Sequence, residues 1–325
     1  MEKITVVIPN YNGIKYLNDC LQSLYKQHPD TPEYEVIVVD NGSVDGSIEA
    51  AKEAFPETKI IMLGENTGFC HAVNVGILAS SAEYVLLLNN DTKVKTEFIK
   101  SLYDAIEKDD NIFSVSAQML MWDRPDLIDD AGDRYSVLGW AYARGKGKPA
   151  TDYECLCEVF SACGGAVIYR RSLLDKVGLF DEAHFAYLED LDIGYRAKIL
   201  GYKNYYEPKA KVLHFGSAST GSRYNEKKTV LAAANNIYVI YKNMPLLQLL
   251  WNLPFILFGI LIKFLFFCKK GMGSLYLQGI KQGIKRSISR EGHQKKVHFK
   301  CRNLRNYLRI QWELYVGTIQ IIKKS

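Results

Sequence analysis

Cysteine and proline are both scarce in this chain, and neither can organise its fold. The 325 residues include 7 Cys and 9 Pro. An odd number of unevenly spaced thiols in a chain of this length favours reduced cysteines over a disulfide framework. Cys155 and Cys157 lie one residue apart, which is not the spacing of zinc ligands. The sequence therefore argues against disulfide-rich, zinc-binding and proline-rich classes of protein.

A secretory signal sequence is not expected either, because residues 1–9 form one short apolar run that is followed at once by polar residues. The composition is 48% hydrophobic and 24% charged, which is ordinary for globular proteins and excludes wholesale disorder. The length allows one large domain or two modest ones.

The net charge of +5 conceals an asymmetry along the chain. Residues 269–325 carry 14 Lys and Arg against 2 Asp and Glu, whereas the preceding part is net acidic. We expect the acidic body and the basic tail to meet different surfaces. Nucleic acid is not an expected partner, because aromatic residues are sparse in the tail and no binding motif is present.

Short apolar runs of strand length alternate with helical patterns in the first hundred residues. The runs cover 4–8, 36–39, 60–63 and 84–88, and helical spacing separates the first from the second and the third from the fourth. Runs without polar alternation are typical of strands buried on both faces. The order predicts an α/β fold with a mostly parallel sheet flanked by helices, which binds ligands beyond the carboxyl ends of its strands.

Polar residues follow several of these runs. Asp91, just past the run at 84–88, could hold Mg²⁺ or Mn²⁺, or could form a turn or a helix cap. Asp40, just past the run at 36–39, could accept a hydrogen bond from a nucleotide base or ribose, or could close an Asx turn. Both pairs of alternatives stay open from the sequence.

An acidic cluster at 189–192 is the second candidate site. A helix through this region places Glu189 and Asp192 on one face with Arg196 one turn later, while Asp190 points elsewhere. Crowded carboxylates raise a pKa, as a general base near neutral pH requires. The alternative is an acidic helix start with an Asp192–Arg196 ion pair, which we expect to form.

Two further positions have a functional and a structural interpretation. Gly165 precedes an apolar stretch, where glycine permits close approach to a ligand or forms a bulge. His214 ends an apolar run, where it could contact a metal or phosphate or serve a structural role.

These motifs form one ordered set along the chain. They are Ile-Pro-Asn-Tyr-Asn (8–12), Val-Val-Asp-Asn-Gly-Ser (38–43), Glu-Asn-Thr-Gly-Phe (65–69) with Asn74 and Gly76, Leu-Leu-Asn-Asn-Asp (87–91), Gly-Leu-Phe-Asp-Glu (178–182), Tyr-Leu-Glu-Asp-Leu-Asp (187–192) with Arg196, Gly201-Tyr202, and His214 with Ser217. The set resembles family 2 glycosyltransferases of the GT-A fold, in the subgroup that includes many bacterial rhamnosyltransferases. The resemblance covers roughly residues 3–220.

The resemblance implies a nucleotide-sugar site. Asp40 and Tyr11 would hold the base, with Pro9 and Asn10 lining the pocket. The remaining substrate-binding residues would be Asn66, Gly68, Phe69, Asn74, Asn89, Asn90 and Gly165.

The resemblance also implies the catalytic and metal-binding residues. Asp190 would be the general base, supported by Glu189. Asp91 would bind a divalent metal, Mg or Mn, at the end of a D-x-D motif whose first position is Asn89. His214 would lie near the metal or the diphosphate.

The C-terminal hundred residues lie outside the resemblance, and we expect a catalytic domain at 1–222 and a helical region at 223–325. The apolar segment 245–268 is long enough to cross a ~30 Å hydrocarbon core. Because basic flanks resist translocation, the sequence favours a peripheral or monotopic segment, broken near Pro254, at the cytoplasmic face of the plasma membrane. The alternative is a helix docked on the protein's own core.

The expected function is that of an inverting glycosyltransferase in cell-surface polysaccharide synthesis. The donor would be a UDP- or dTDP-linked sugar, such as rhamnose, and the acceptor a hydroxyl of a glycan or a lipid-linked glycan. A catalytically inactive nucleotide-sugar-binding membrane scaffold is the main alternative. A sugar nucleotidyltransferase is disfavoured, because residues 9–13 lack the glycine-rich loop of that class.

Overall fold

The computed structural model describes residues 2–216 and 225–322, so Ser217 and the expected domain boundary at 222 lie outside the described residues. Strands and helices alternate in the first part of the chain. They are β1 (Ile4–Asn10), α1 (Leu17–Leu24), β2 (Tyr34–Asp40), α2 (Ser47–Ala54), β3 (Lys59–Met62), α3 (Phe69–Ala79), β4 (Tyr84–Leu88), β5 (Thr92–Val94), α4 (Phe98–Ile106) and β6 (Ile112–Met121).

Shorter strands occupy the middle of the chain before the last long strand. The elements are β7 (Ile128–Asp130), β8 (Asp133–Tyr135), β9 (Ala141–Ala143), β10 (Cys157–Val159), β11 (Ala166–Arg170), α5 (Arg171–Val177), α6 (Glu189–Ile199) and β12 (Lys203–His214). A 3₁₀ turn over Glu182–His184 lies between α5 and α6.

One large sheet runs through the molecule in the order β10-β12-β6-β11-β4-β1-β2-β3. Strands β4, β1, β2 and β3 run parallel to one another, and β12 is parallel to β6. Strand β11 runs antiparallel between β4 and β6. The predicted mostly parallel sheet is therefore confirmed, and β4 spans the same residues as the apolar run from which it was predicted.

Helices cover both faces of this sheet, and the residues of each strand alternate between two cores. Val6 and Leu86 join the core beneath α1, α2 and α4. Val7 and Leu87 point to the opposite face, into the core beneath α3, α5 and α6. This double burial explains why the strands carry no polar alternation in the sequence.

Five α-helices follow within residues 225–322. They are α7 (Glu226–Asn243), α8 (Leu246–Lys269), α9 (Gly273–Ser287), α10 (Arg290–Lys295) and α11 (Leu304–Ile322). Helix α7 is 18 residues long. Helix α9 lies against it so closely that a Cβ atom at Gly279 would sit 2.4 Å from the carbonyl oxygen of Val230.

The break expected near Pro254 was wrong, because α8 runs through this proline as one helix of 24 residues. A proline within a helix removes one backbone hydrogen bond, to the carbonyl four residues earlier, but does not always end an apolar helix. The uninterrupted apolar sequence on both sides of Pro254 continues the helix.

Most of α8 is not covered by the rest of the protein. Its buried residues are Asn252, Ile256 and Gly259. The side chain of Asn252 exchanges hydrogen bonds with Gln311 of α11 at 2.8 Å, and Nε1 of Trp140 donates to the carbonyl oxygen of Gly259 at 3.2 Å. Within the most apolar 18-residue stretch of α8, only 17% is buried. Among the described residues, α8 is the helix long and apolar enough to span a bilayer.

Candidate active site

The carboxyl ends of the parallel strands meet at one edge of the sheet, and Asn10 joins the loops there. Its Nδ2 atom lies 3.2 Å from Oδ1 of Asp40, 3.1 Å from Oγ of Ser43 and 3.0 Å from Oγ of Ser47. Its Oδ1 atom accepts from Nδ2 of Asn90 at 2.7 Å. Asn10, at the end of β1, thus connects the loops that follow β2 and β4.

Asp40 is completely buried at the end of β2. Its Oδ2 atom accepts from the backbone N–H of Ser43 at 3.1 Å, so the Asx turn that the sequence left open is present. Each carboxylate oxygen has two acceptor positions, so this turn is compatible with a further donor. Next to Asn10, Tyr11 is 39% exposed and Pro9 is half-buried.

The loop between β3 and α3 is held against β2 by Asn41. Its Oδ1 atom accepts from the N–H of Thr67 at 2.8 Å, and its Nδ2 atom donates to the carbonyl oxygen of Gly68 at 3.1 Å. Asn66 is exposed here, and the half-buried Phe69 begins α3. Asn66, Gly68 and Phe69 therefore line the same sheet edge as Asp40.

Gly68 itself requires glycine. Its φ angle is +93°, and a Cβ atom there would lie 2.6 Å from the ring of Phe185. The loop before α3 can therefore approach the segment before α6 only without a side chain.

Asp91 faces His214 from the end of β4. The Nε2 atom of His214 lies 3.5 Å from Oδ1 of Asp91, and its Nδ1 atom lies 2.7 Å from Oδ2 of Asp129. Lys146 pairs with the same Asp129. Burial opposes a charge on His214, but the hydrogen bonds to Asp129 and Asp91 outweigh it and raise the pKa of His214 to about 9. The imidazole thus bridges two carboxylates.

A cavity of about 590 Å³ lies beside Asp129 and His214. Its wall includes Arg124 and the stacked rings of Trp122 and Phe215, whose centroids are 3.6 Å apart. A cavity with an aromatic platform and one arginine suits a ring-bearing or anionic ligand.

Asp190 and Glu189 begin α6. The Oδ2 atom of Asp190 accepts from the N–H of Gly164 at 3.1 Å, and its Oδ1 atom from the N–H of Leu191 at 2.7 Å. Burial raises the pKa of Asp190. Burial and the adjacent Asp190 raise the pKa of Glu189 to about 8, so Glu189 holds its proton at neutral pH.

Gly165 joins the acidic cluster to the end of β4. Its carbonyl oxygen accepts from the N–H of Asn89 at 2.9 Å. A Cβ atom at Gly165 would lie 2.9 Å from Cε of Met119 and 3.3 Å from Nδ2 of Asn89. Gly165 therefore packs closely against Met119 and Asn89, and β11 keeps its register with β4 from residue 166 onward.

A family model described as "Glycosyl transferase family 2" matches residues 5–178, which is more than half of the chain. The chain belongs to this family. This glycosyltransferase is 31% identical over 215 residues, 57% of the chain, to an N-acetylglucosaminyl-diphospho-decaprenol L-rhamnosyltransferase of Mycobacterium tuberculosis, and covers 68% of that relative.

Two solved structures share the GT-A fold with this glycosyltransferase. A structure of GalNAc-T7 with UDP, GalNAc and Mn²⁺ aligns with a TM-score of 0.61 at 17% identity, over 74% of this chain and 48% of the other. The mannosyltransferase PcManGT from Pyrobaculum calidifontis, in complex with GDP-Man and Mn²⁺, aligns with a TM-score of 0.53 at 15% identity, over 98% of this chain and 86% of the other. The predicted fold and family are confirmed.

Asn74 of the glycosyltransferase holds a neighbouring segment in place. Its Nδ2 atom donates to the carbonyl oxygen of Phe180 and to Oε1 of Glu182, both at 2.9 Å, and its Oδ1 atom accepts from the N–H of Phe180 at 3.0 Å. Asn74 is buried, so its visible role is to fix the segment that precedes α6.

Several buried polar residues of the site were not singled out in the sequence. Asp129 orients His214, and Lys242 contacts Asp181 at 2.7 Å and Asp192 at 2.8 Å. The Asp192–Arg196 pair, in contrast, was predicted from its helical spacing and is confirmed at 3.0 Å. Lys242 lies 50 residues beyond Asp192, at a distance that no local pattern reveals.

Proposed function

We propose that this glycosyltransferase moves a sugar from a nucleoside-diphosphate sugar to a hydroxyl of a glycan or lipid-linked glycan in cell-surface polysaccharide synthesis. The mycobacterial relative, an N-acetylglucosaminyl-diphospho-decaprenol L-rhamnosyltransferase, supports this substrate class. We therefore propose rhamnose, linked to dTDP or UDP, as the first donor to test.

One observation carries the proposal, namely a set of hydrogen bonds between neighbouring segments of the site. Asp190 accepts from Gly164, and Gly165 accepts from Asn89, which lies two residues before Asp91. Asn90 donates to Asn10, which donates to Asp40. These hydrogen bonds join the segments that carry Asp40, Asp91 and Asp190, which supports the proposal that the three carboxylates act on one substrate pair.

Asp190 acts as the base in the proposed reaction. Its carboxylate takes the proton of the acceptor hydroxyl while that oxygen forms a bond to the anomeric carbon. The bond from this carbon to the diphosphate oxygen breaks on the opposite face, so the configuration inverts and a nucleoside diphosphate leaves. Glu189, which keeps its proton at neutral pH, supports Asp190 without competing for this role.

The residues around Asp91 fit a divalent cation, Mg²⁺ or Mn²⁺. An oxygen of Asp91 and Nε2 of His214 converge to 3.5 Å, and Asp129 holds the other ring nitrogen, as is usual for histidine ligands. No group of three His, Cys, Asp or Glu able to hold a metal occurs in the described ranges, so diphosphate oxygens and water would complete the shell. When bound, the cation neutralises charge on the leaving diphosphate.

We also propose that the protein is a peripheral or monotopic protein of the cytoplasmic face of the plasma membrane. Helix α8 exposes Leu247, Trp251 and Phe258 by 82%, 67% and 57%. The following region, residues 269–325, carries the basic excess of the chain, which suits anionic headgroups. A basic flank on the far side of a crossing would have to be translocated.

The Asp190→Asn variant tests the proposed function. We expect transfer from a nucleotide sugar, screened first with dTDP-rhamnose and Mn²⁺, to be lost in this variant, because its amide cannot accept the proton. Donor binding, measured as a thermal shift, should persist. The exposed carboxylate Asp152 provides the matched control, and Asp152→Asn should transfer like the wild type.

Two results would count against this proposal. Transfer by Asp190→Asn at the wild-type rate would remove Asp190 as the base. Donor binding by the wild type without transfer to any lipid-linked or glycan acceptor would favour the inactive scaffold instead.

A further inference from the structure

Asn235 of α7 is completely buried against the loop that leads into α6. Its Nδ2 atom donates to the carbonyl oxygens of His184, Ala186 and Tyr187 at 2.9, 2.8 and 2.8 Å. An amide nitrogen has two hydrogens, so three acceptors share them. One side chain of the C-terminal region thus donates hydrogen bonds to three carbonyl groups of a single loop.

The loop that Asn235 holds has an unfavourable backbone conformation. Phe185, Tyr187 and Leu188 have φ angles of 60°, 71° and 66°, although none of them is glycine. Such residues keep a left-handed conformation only where surrounding contacts impose it, and they concentrate at functional sites. Leu188 is followed directly by Glu189 and Asp190, so the contacts that impose this conformation also place the acidic cluster.

Arg286 of α9 fixes the orientation of the Asn235 amide. Its Nη1 atom donates to Oδ1 of Asn235 at 2.6 Å. A guanidinium group can only donate hydrogen bonds, so it holds the amide oxygen on its own side and leaves the amide nitrogen to face the loop. The charge of the donor also strengthens this hydrogen bond.

We propose that Asn235, oriented by Arg286, is a positioning residue for the transfer reaction. The pair holds the loop at 184–188 in its strained conformation, and through it the carboxylate of Asp190 at the acceptor hydroxyl. This inference rests on the proposed role of Asp190 as the base. It gives the helices α7 and α9, which lie outside the matched residues 5–178, a part in the chemistry.

Kinetics of full-length variants test this role, with dTDP-rhamnose and Mn²⁺ as the donor system and N-acetylglucosaminyl-diphospho-decaprenol as the acceptor. We expect Asn235→Ala to lower kcat about 10- to 100-fold, since small displacements of a reacting group have effects of this size. The KM for the donor should change less than kcat, because Asp40 and Asp91 lie on other loops, while the loop at 184–188 meets the donor loop where Phe185 packs against Gly68. Asn236→Ala is the matched control, as Asn236 is the next buried amide on the same helix, and its kcat should be unchanged.

The arginine provides a second pair of variants that does not depend on the folding of Asn235→Ala. We expect Arg286→Met to lower kcat in the same way, whereas Arg286→Lys, which keeps a charged donor near Asn235, should recover most of it. Wild-type kcat in both Asn235→Ala and Arg286→Met would overturn the inference. If Asn235→Ala does not fold, wild-type kcat in Arg286→Met alone overturns it, and loss there with recovery in Arg286→Lys supports it.

Asp190→Asn, assayed in parallel, separates this inference from the proposed function. Transfer by Asp190→Asn would refute the base assignment. An inactive Asp190→Asn together with fully active Asn235→Ala and Arg286→Met would refute the positioning role alone.

Discussion

The Nζ atom of Lys242 lies 2.8 Å from the Oδ2 atom of Asp192, and both residues are buried. The same ammonium group lies 2.7 Å from Oδ2 of Asp181, and the neighbouring Asn243 donates to Oδ1 of Asp192 at 2.8 Å. Burial opposes ionisation of Asp192, but the charges of Lys242 and Arg196 hold its pKa well below its usual range. The end of α7 is thus bonded to the helix that carries the acidic cluster.

Replacement of Lys242 by Met should destabilise the whole protein. The change leaves the carboxylates of Asp181 and Asp192 buried with less compensation, and removing one partner of a buried ion pair costs about 3–5 kcal/mol. The free energy of unfolding, from denaturant titration, measures this loss. Lys281→Met, at an exposed position of α9, is the control, and equal stability of the two variants would contradict the prediction.

Replacement of Asn10 by Asp should weaken donor binding more than any neighbouring isosteric change. The new carboxylate would face Asp40 across the contact that Asn10 now makes at 3.2 Å, so like charges repel where a hydrogen bond stood. Asn12→Asp keeps its acceptor for the N–H of Val44 and should bind the donor like the wild type. Calorimetric titration with the nucleotide sugar provides the comparison. Equal affinities for both variants would argue against the role of Asn10 in connecting the donor-binding loops.

Stability should fall on mild acidification because of His184. Burial lowers the pKa of His184 to about 4, from 6.5 when exposed. The unfolded chain therefore takes up this proton first, and the stability from the neutral imidazole is complete above pH 6.5 and is lost as the pH falls towards 4. The free energy of unfolding should therefore be about 3 kcal/mol lower below pH 4 than above pH 6.5 through this group.

The melting temperature as a function of pH tests this assignment. Between pH 6.5 and 4 it should fall less steeply in His184→Gln than in the wild type, because the variant has no imidazole to protonate. The exposed His298 provides the control variant His298→Gln, which should follow the wild type. Parallel curves for all three proteins would contradict the role of His184.

Binding to anionic lipid vesicles should depend on the exposed face of α8. We expect the double variant Leu247→Glu with Phe258→Glu to remain in the supernatant when phosphatidylglycerol vesicles are sedimented, since charges oppose burial of this face in the bilayer. Leu78→Glu is the matched control, because Leu78 is 66% exposed on the catalytic part of the chain. Release of the wild type by high salt alone would show that α8 does not insert.

The sheet and its ligand edge could be predicted from the sequence because their signals are local. The strand at 84–88 is an apolar run bounded by polar residues, and Asp192 and Arg196 have the spacing of neighbours on a helix. Both features follow from the geometry of a single element. Asp40 and Asp91 follow two strands that are both parallel to β1, so strand order alone places them at the same edge. The place of Asp190 beside them was implied by the family motifs and stays a prediction.

The contacts between the C-terminal helices and the acidic cluster could not be predicted in this way. Asn235 and Lys242 lie in an ordinary helical pattern, where a lysine or asparagine usually faces solvent, and their partners are about 50 residues away. The break expected at Pro254 was wrong for the opposite reason. The local rule that proline interrupts a helix did not hold, because the apolar sequence on both sides continues α8. Arg286 belongs to the basic tail by composition, yet it serves an internal amide.

Only Met244 and Pro245 separate α7 from α8, and Met244 is buried. This short connection allows little relative movement between α7, which holds the loop before Asp190, and α8, whose apolar face is exposed. A bilayer that holds α8 at one depth would therefore set the height of the Asp190 carboxylate above the lipid headgroups. With α8 bound to the bilayer as proposed, the enzyme would act on acceptors whose hydroxyl lies at this same distance from the membrane plane.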